Sequence, residues 1–110
     1  MTYTKENPKL VNFYGSFEGR ETFTGVVKDK YGDIIYHLNG NIHRTDGPAC
    51  EYANGDKQWH LNGKLHREDG PACEVANGRK YWYLNSKYYG CDDDFTNESW
   101  IRFVQLELLR

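Results

Sequence analysis

Two pairs of histidines are the side chains in this chain best suited to chemistry, and the members of each pair are separated by 23 residues. Neutral imidazole nitrogens bind zinc and other transition metals, and thiolates are soft ligands for the same ions. If the segments that carry the pairs stack on one another, the imidazoles come within reach of one ion. The residues concerned are His37 with His60 and His43 with His66, with Cys50 and Cys73 as further ligands. A metal- or small-ligand-binding function is therefore one hypothesis.

The local spacing of these residues favours a structural role instead. The chain contains no Cys-x-x-Cys and no His-x-x-x-His, the spacings typical of compact zinc sites. One period after His60 and His66, the same positions hold Tyr83 and Tyr89, and tyrosine suits packing and hydrogen bonding better than metal binding. We therefore predict no metal site and no cofactor, and we keep the histidine pairs as the alternative.

A second candidate is the run His-Arg-x-Asp-Gly-Pro-Ala, which occurs at 43–49 and again at 66–72. It brings an imidazole, a guanidinium and a carboxylate into one turn, a set that an enzyme could use for acid–base catalysis. The alternative is a structural corner, in which Asp46 and Asp69 accept hydrogen bonds from the backbone or from arginine. An active site normally needs one such set, whereas this chain has two equivalent ones. We therefore predict a corner, no catalytic residues and no enzymatic activity.

The acidic run at 92–94 and the cysteines offer little further chemistry. The acidic run lacks the alternating ligands, central glycine and distal glutamate of an EF-hand loop, and an acidic helix start explains it more simply. Cys50 and Cys73 are expected to fill equivalent small apolar niches. Cys91, in the loop before that helix, is the cysteine expected to be most exposed.

The elements that must position all these residues follow from an internal repeat of 23 residues. The segment from Tyr36 to Gln58 is followed by a similar segment from Trp59 to Tyr81. A fixed period of this length indicates one supersecondary unit that is copied, with neighbouring copies burying each other's apolar faces. Equivalent positions in three copies hold Tyr36, Trp59 and Trp82, and also Leu38, Leu61 and Leu84.

Within each unit the pattern is that of short strands joined by tight turns. Asn-Gly occurs at 39–40, 54–55, 62–63 and 77–78, and this dipeptide accepts the positive φ angles of type I′ turns. Apolar and polar residues alternate between the turns, as in a strand with one buried face. Proline in the Asp-Gly-Pro corners donates no amide and ends the pairing. We predict a mainly β fold, an antiparallel β-hairpin repeat meander with an aromatic and leucine stripe along one side.

The C-terminal segment is predicted to form one helix that caps the open end of the stack. From Phe95 to Arg110 it contains no glycine or proline, and Asp94 or Thr96 is placed to cap its start. One helical stripe carries Trp100, Ile101, Val104 and Leu108, with Phe103 beside it. We therefore expect a single domain with a degenerate N-terminal unit at 1–24, hairpin repeats at 25–90 and a C-terminal helix at 91–110, which packs against the tryptophan ladder.

The composition excludes several classes of partner. Lys and Arg number 14 against 16 for Asp and Glu, a net charge of -2, so there is no basic excess for nucleic acid or anionic lipid. The N-terminus lacks the basic start and apolar run of a signal peptide, and no segment is long enough to span a membrane. An odd number of cysteines, three, favours reduced thiols. We expect a cytoplasmic protein with no nucleic-acid or membrane partner.

Aromatic side chains off the buried stripe are the candidates for binding a protein partner. Tyrosine and tryptophan frequently anchor protein interfaces, and the same rings also shield a thin sheet from water. Both interpretations stay open at this point. The candidate partner-binding residues are Tyr52, Tyr81, Tyr83, Tyr88 and Tyr89.

The unit W-x-L-N-G-K-L-H-R-E-D-G-P-A, from Trp59 to Ala72, resembles the MORN-like repeat, in particular the variant found in antitoxin-like bacterial proteins and small phage and giant-virus proteins. The resemblance covers about residues 25–90. The chain departs from the pattern at Ser86, which replaces the turn glycine, and after Tyr89, where the corner is lost. The resemblance implies a β-hairpin array that acts as an interaction scaffold, without catalytic residues to transfer.

Our leading functional hypothesis is a non-enzymatic protein–protein interaction module. The resemblance implies a more specific version, a phage-encoded inhibitor that binds a bacterial host defence protein in the host cytoplasm. A self-paired sheet edge would instead give a homo-oligomer.

Overall fold

The computed structural model describes residues 10–12 and 23–109. Within these residues the chain forms eleven short strands, one 3-10 helix and one α-helix. The strands are β1 (Leu10–Asn12), β2 (Gly25–Lys28), β3 (Ile34–Leu38), β4 (Asn41–Ile42), β5 (Cys50–Glu51), β6 (Lys57–Gln58), β7 (His60–Leu61), β8 (Lys64–Leu65), β9 (Cys73–Glu74), β10 (Lys80–Leu84) and β11 (Lys87–Cys91). The 3-10 helix covers Asp92–Asp94, and the α-helix α1 covers Asn97–Leu108.

Most of the strands belong to one meandering sheet. Its order is β1-β2-β3-β5-β6-β9-β10-β11, with β4 paired to β3, while β7 and β8 form a separate pair. The pairing is antiparallel throughout the repeats, and β1 pairs with β2 in parallel. The predicted mainly β antiparallel meander with one C-terminal helix is therefore confirmed. Most of the predicted N-terminal unit, residues 1–24, lies outside the described residues.

Consecutive units are joined by the same backbone hydrogen bonds at equivalent places. At the first junction the Gly63 amide donates to the Ile42 carbonyl at 2.9 Å, and the Arg44 amide donates to the His60 carbonyl at 3.1 Å. The second junction repeats these bonds one period later, from Ser86 to Leu65 (2.8 Å) and from Arg67 to Tyr83 (3.4 Å). Because each junction satisfies outward-facing backbone groups of the preceding hairpin, stacking fixes the register between units.

The type I′ prediction holds for two of the four Asn-Gly turns. Both residues at 39–40 and at 62–63 have positive φ, between 50° and 82°. At 54–55 and 77–78 the prediction was wrong, because only the glycine has a positive φ. At the first of these, the Tyr52 amide donates to the Asp56 carbonyl, which leaves a three-residue loop where a type I′ turn needs two. The Asn54 side chain then accepts from the Asp56 amide at 2.9 Å and stabilises the alternative turn.

The described part of the chain has an aromatic core between β10, β11 and the helix. Its buried members are Trp82, Leu84, Trp100 and Val104, with Tyr89, Phe95 and Phe103 packed against them. The Trp82 and Trp100 ring centroids are 5.3 Å apart. The predicted packing of α1 against the tryptophan ladder is therefore confirmed.

Both the start of α1 and its buried face differ in part from the prediction. Thr96 caps the helix by accepting a hydrogen bond from the Ser99 amide, as predicted, but the helix does not reach back to residue 91. Phe95 is extended, because its ring turns inwards to pack at 4.8 Å from Trp100.

Ile101 and Leu108 were predicted on the buried stripe, but they are 37% and 56% exposed. Phe103 stacks on Trp100 at 5.6 Å instead, which rotates the buried face away from them. Among the described residues, no helix is long and apolar enough to cross a membrane.

Candidate functional site

Each predicted corner is built around one arginine. In the first corner the Arg44 Nε donates to Asp46 Oδ1 at 2.7 Å, and Nη1 donates to the Pro48 carbonyl at 3.0 Å. Nη1 also lies 3.4 Å from Glu51 Oε2. The guanidinium carbon is 4.0 Å from the centroid of the Tyr36 ring, within the range of a cation–π contact. The hydrogen bonds of this guanidinium to Asp46 and Pro48 therefore stabilise the corner.

The second corner repeats this geometry. Arg67 Nε donates to Asp69 Oδ1 at 2.8 Å, and Nη1 contacts Glu74 Oε2 at 3.0 Å. Its guanidinium carbon lies 3.9 Å from the centroid of Trp59. The glycine of Asp-Gly-Pro leaves room for the guanidinium, because a Cβ on Gly70 would lie 2.6 Å from the Arg67 Cζ. The predicted corner, in which Asp46 and Asp69 accept hydrogen bonds from arginine, is therefore present in both copies.

His43 and His66 join consecutive repeats. The Asn62 amide donates to Nδ1 of His43 at 2.9 Å, and the Asn85 amide donates to Nδ1 of His66 at 3.1 Å. Nε2 of His66 also lies 2.7 Å from Glu68 Oε2. Because Nδ1 of each imidazole accepts a backbone hydrogen bond, the lone pair of that nitrogen is occupied and cannot bind a metal. These imidazoles therefore stabilise the junctions between repeats.

His37 and His60 lie on the opposite face from the tryptophans, because they alternate with Tyr36 and Trp59 along the chain. Burial lowers the pKa of both imidazoles. The Nε2 atom of His60 pairs with Gln58 Oε1 at 3.0 Å. Within residues 23–109, no group of three or more His, Cys, Asp or Glu side chains is arranged to hold a metal ion.

Burial disfavours the reactive thiolate forms of Cys50 and Cys73. Cys50 is buried, and burial raises its pKa. Burial, followed by the nearby Cys50, raises the pKa of Cys73 to about 11. A thiol with such a pKa is protonated at neutral pH and is a poor nucleophile. Cys91, expected in a loop, instead ends β11, and it is partly buried like Cys73.

The acidic run stabilises the approach to the helix. Asp92 Oδ1 accepts from the Lys80 amide at 3.1 Å, and Oδ2 pairs with Arg79 at 3.0 Å. The hydrogen bond from Lys80 is the largest cause of the lowered pKa of Asp92. Asp94 accepts from the Cys91 amide at 2.9 Å. The predicted role as an acidic helix start holds for the short 3-10 helix that precedes α1.

Four of the five candidate tyrosines form what we term the tyrosine surface: Tyr52, Tyr81, Tyr83 and Tyr88. Tyr83 and Tyr88 are register partners on β10 and β11, and their ring centroids are 5.5 Å apart. Tyr88 is 51% exposed, and the other three are partly buried. A hydrogen bond with Cys91 is the main cause that raises the pKa of Tyr88 to about 12. The Tyr88 phenol is therefore neutral near pH 7.

The fifth candidate, Tyr89, does not belong to this surface. Its ring packs under the helix at 5.3 Å from Phe103 and 5.8 Å from Trp100. Its hydroxyl lies 3.4 Å from Glu107 Oε2. Successive residues of a strand point to opposite faces, so Tyr89 points to the tryptophan face, and helix docking then covers it. The expectation that Tyr89 lies off the buried stripe was wrong, and its role in binding a partner stays a prediction.

A cleft of about 580 Å³, which we term the Trp59 cleft, opens between the two corners. Trp59 and Leu61 contribute apolar surface, and the corners contribute charged side chains. Its lining consists of Arg44, Thr45, Asp46, Gly47, Trp59, Leu61, His66, Arg67, Glu68 and Asp69. We did not predict this cleft from the sequence, although the sequence contains two equivalent corners with Trp59 between them.

Comparisons with known proteins give no assignment for this chain. No family model, no curated protein and no solved structure matches it.

Proposed function

We propose that this protein is a binding module for another protein and that the tyrosine surface is its interface. The observation that carries the proposal is the pair formed by Tyr83 and Tyr88, which pack on each other while Tyr88 stays 51% exposed. Aromatic rings that are held rigidly and left partly accessible are typical interface anchors, because little side-chain entropy is lost on binding.

The structural roles of the other polar residues support a binding function over catalysis. Both arginines of the corners are bonded to their own turns, and His43 and His66 accept backbone hydrogen bonds at the junctions. The repeat therefore uses these groups to hold its shape. Two members of the tyrosine surface, Tyr83 and Tyr88, lie in the third copy, where the repeat pattern decays.

The more specific version, an inhibitor of a bacterial host defence protein, rests on the resemblance to MORN-like repeats in phage proteins. Self-association is a competing use of the same region, because β11 lies at one end of the sheet order and carries Tyr88. An open strand edge pairs readily with another strand. Light scattering after size exclusion distinguishes the two, since a binding module for another protein elutes as a monomer.

The proposal is tested by affinity capture followed by mass spectrometry, with Tyr88→Ala and Tyr83→Ala compared with the unaltered chain. Tyr31→Ala is the matched control, because Tyr31 is a 70% exposed tyrosine of an outlying loop. We expect a protein that the unaltered chain and Tyr31→Ala retain, and that Tyr88→Ala loses by at least tenfold, the effect of a typical hot-spot residue. Equal capture by all folded variants would refute the interface.

A further inference from the structure

The Trp59 cleft is the repeat-equivalent of the place where the chain buries its own Trp100. In the described structure Trp100 lies against four residues of the second and third units: Arg67, Trp82, Leu84 and Tyr89. Subtracting one period of 23 residues gives Arg44, Trp59, Leu61 and His66, and all four line the cleft. The same four positions therefore surround an indole in one copy and an open cleft in the preceding copy. The copies differ at one further position, because the Arg67 guanidinium contacts Trp59, whereas Gly90 stands at the equivalent place beside Trp82.

The filled copy shows how an indole is recognised. Trp100 is fully buried, with its ring centroid 5.3 Å from that of Trp82. Its Nε1 donates to the Arg67 carbonyl at 2.8 Å. In the open copy the equivalent acceptor is the Arg44 carbonyl, and no donor among residues 23–109 hydrogen-bonds to it. Trp59 itself stays partly exposed.

We propose that the Trp59 cleft binds a tryptophan side chain of a partner protein. The indole packs on Trp59 and Leu61, and its N–H donates to the Arg44 carbonyl. The Arg67 guanidinium also contacts the Trp59 ring, at 3.9 Å from the ring centroid. The bound indole and this guanidinium therefore both pack on Trp59. A second copy of the chain does not supply the indole, because the chain has three tryptophans, of which two are buried in the core and Trp59 belongs to the cleft.

The rim of the cleft indicates the residues that flank the tryptophan in the partner. Asp46, Glu68 and Asp69 line it with side chains that are 50%, 51% and 76% exposed. Each guanidinium of the lining is ion-paired with the aspartate of its own corner and also contacts a second carboxylate, Glu51 or Glu74. Carboxylates therefore outnumber guanidiniums around the cleft. Basic residues next to the tryptophan complement that rim.

The Trp59 cleft is a second binding face, separate from the tyrosine surface. Trp82 and Tyr83 are successive residues of β10, so the aromatic ladder and the tyrosine surface point to opposite sides of the sheet. Either surface can fail its test while the other holds.

The direct test is a titration of the full ¹⁵N-labelled chain with the blocked tripeptide Lys-Trp-Lys, followed by NMR. We expect saturable shifts of the Trp59 indole N–H and of cleft amides such as that of Glu68, with a dissociation constant on the order of a millimolar for so small a ligand. The buried Trp100 indole resonance should stay in place. Blocked Lys-Leu-Lys and Glu-Trp-Glu serve as ligand controls and should bind at least fivefold more weakly.

A matched pair of variants tests the rim. Glu68→Gln keeps an acceptor for His66 but removes a rim charge, and it should weaken Lys-Trp-Lys binding about two- to fourfold at low salt. Asp93→Asn removes an exposed carboxylate outside the cleft lining and should leave binding unchanged. The proposal is overturned if Lys-Leu-Lys binds as tightly as Lys-Trp-Lys, or if the shifts fall on Tyr83 and Tyr88 instead of the cleft.

Discussion

Replacement of Gly70 by alanine probes the packing that defines the corner. Gly70 is not among the residues with positive φ, so its backbone conformation accepts alanine without strain. The obstacle is space, because the new Cβ would lie 2.6 Å from the Arg67 Cζ, whereas ordinary contact starts at 3.4 Å. The guanidinium must therefore move by about 0.8 Å, the difference between these two distances.

A displacement of this size weakens four contacts of Arg67. The hydrogen bonds to Asp69 (2.8 Å), Glu74 (3.0 Å) and the Pro71 carbonyl (3.1 Å) lengthen beyond good geometry. The two carboxylate contacts are partly exposed and contribute about 0.5 kcal/mol each. The carbonyl bond and the cation–π contact with Trp59 contribute about 0.5–1 kcal/mol each. We therefore expect Gly70→Ala to lower the free energy of unfolding by about 2 kcal/mol, within the usual range for overpacking.

Urea denaturation of the four proteins of a double-mutant cycle tests whether the clash with the Arg67 guanidinium causes the loss of stability. Gly70→Ala should cost about 2 kcal/mol in the native background and less than about 0.5 kcal/mol in Arg67→Ala, where no guanidinium remains to be displaced. The m-value should stay unchanged, because the surface exposed on unfolding is the same. If the glycine substitution costs more than about 1 kcal/mol in the Arg67→Ala background, the steric explanation is refuted.

Three further predictions concern pH, the helix cap and the indole hydrogen bond. Burial lowers the pKa of His60 from its usual 6.5, so near that pH the unfolded chain binds a proton that the folded chain does not. The free energy of unfolding should therefore fall as the pH is lowered from about 7.5 to 5.5, and His60→Gln should make the fall shallower; an unchanged pH dependence would contradict this. Thr96→Ala should cost about 1 kcal/mol of stability by removing the N-cap of α1, with Thr45→Ala, at an exposed loop position, as the neutral control in thermal denaturation. Trp100→Phe should destabilise by about 1–3 kcal/mol in urea titrations, because it leaves the Arg67 carbonyl without the indole donor and opens a small cavity. Stability equal to that of the unaltered chain would show that the hydrogen bond contributes nothing.

The features that the sequence predicted correctly depend on close neighbours in the chain. Asp46 lies two residues from Arg44, and Thr96 lies three residues from the amide that it caps, so local geometry alone brings each pair together. The type I′ turns at 39–40 and 62–63 follow in the same way from the conformational preferences of Asn-Gly. The turns at 54–55 and 77–78 show the limit of such preferences, since pairing of the flanking strands leaves them three-residue loops.

The errors concern contacts between distant parts of the chain. Tyr89 resembled the other surface tyrosines in sequence, yet its ring meets Phe103 and lies under α1. Ile101 and Leu108 satisfied the helical stripe, but the indole of Trp100 reaches the Arg67 carbonyl 33 residues away and sets the rotation of the helix. Neither outcome can be derived from periodicity, because periodicity does not specify which face of the sheet the helix covers.

The sequence by itself determined the repeat, the mainly β meander, the arginine corners and the presence of a capping helix, because a 23-residue period and short-range hydrogen bonding constrain these directly. Only the tertiary structure decided which tyrosines remain accessible and that a cleft lies over Trp59. Both depend on the helix covering one unit and leaving the preceding one open. Repetition makes the units alike, and the single helix, which packs on only one of them, makes them different.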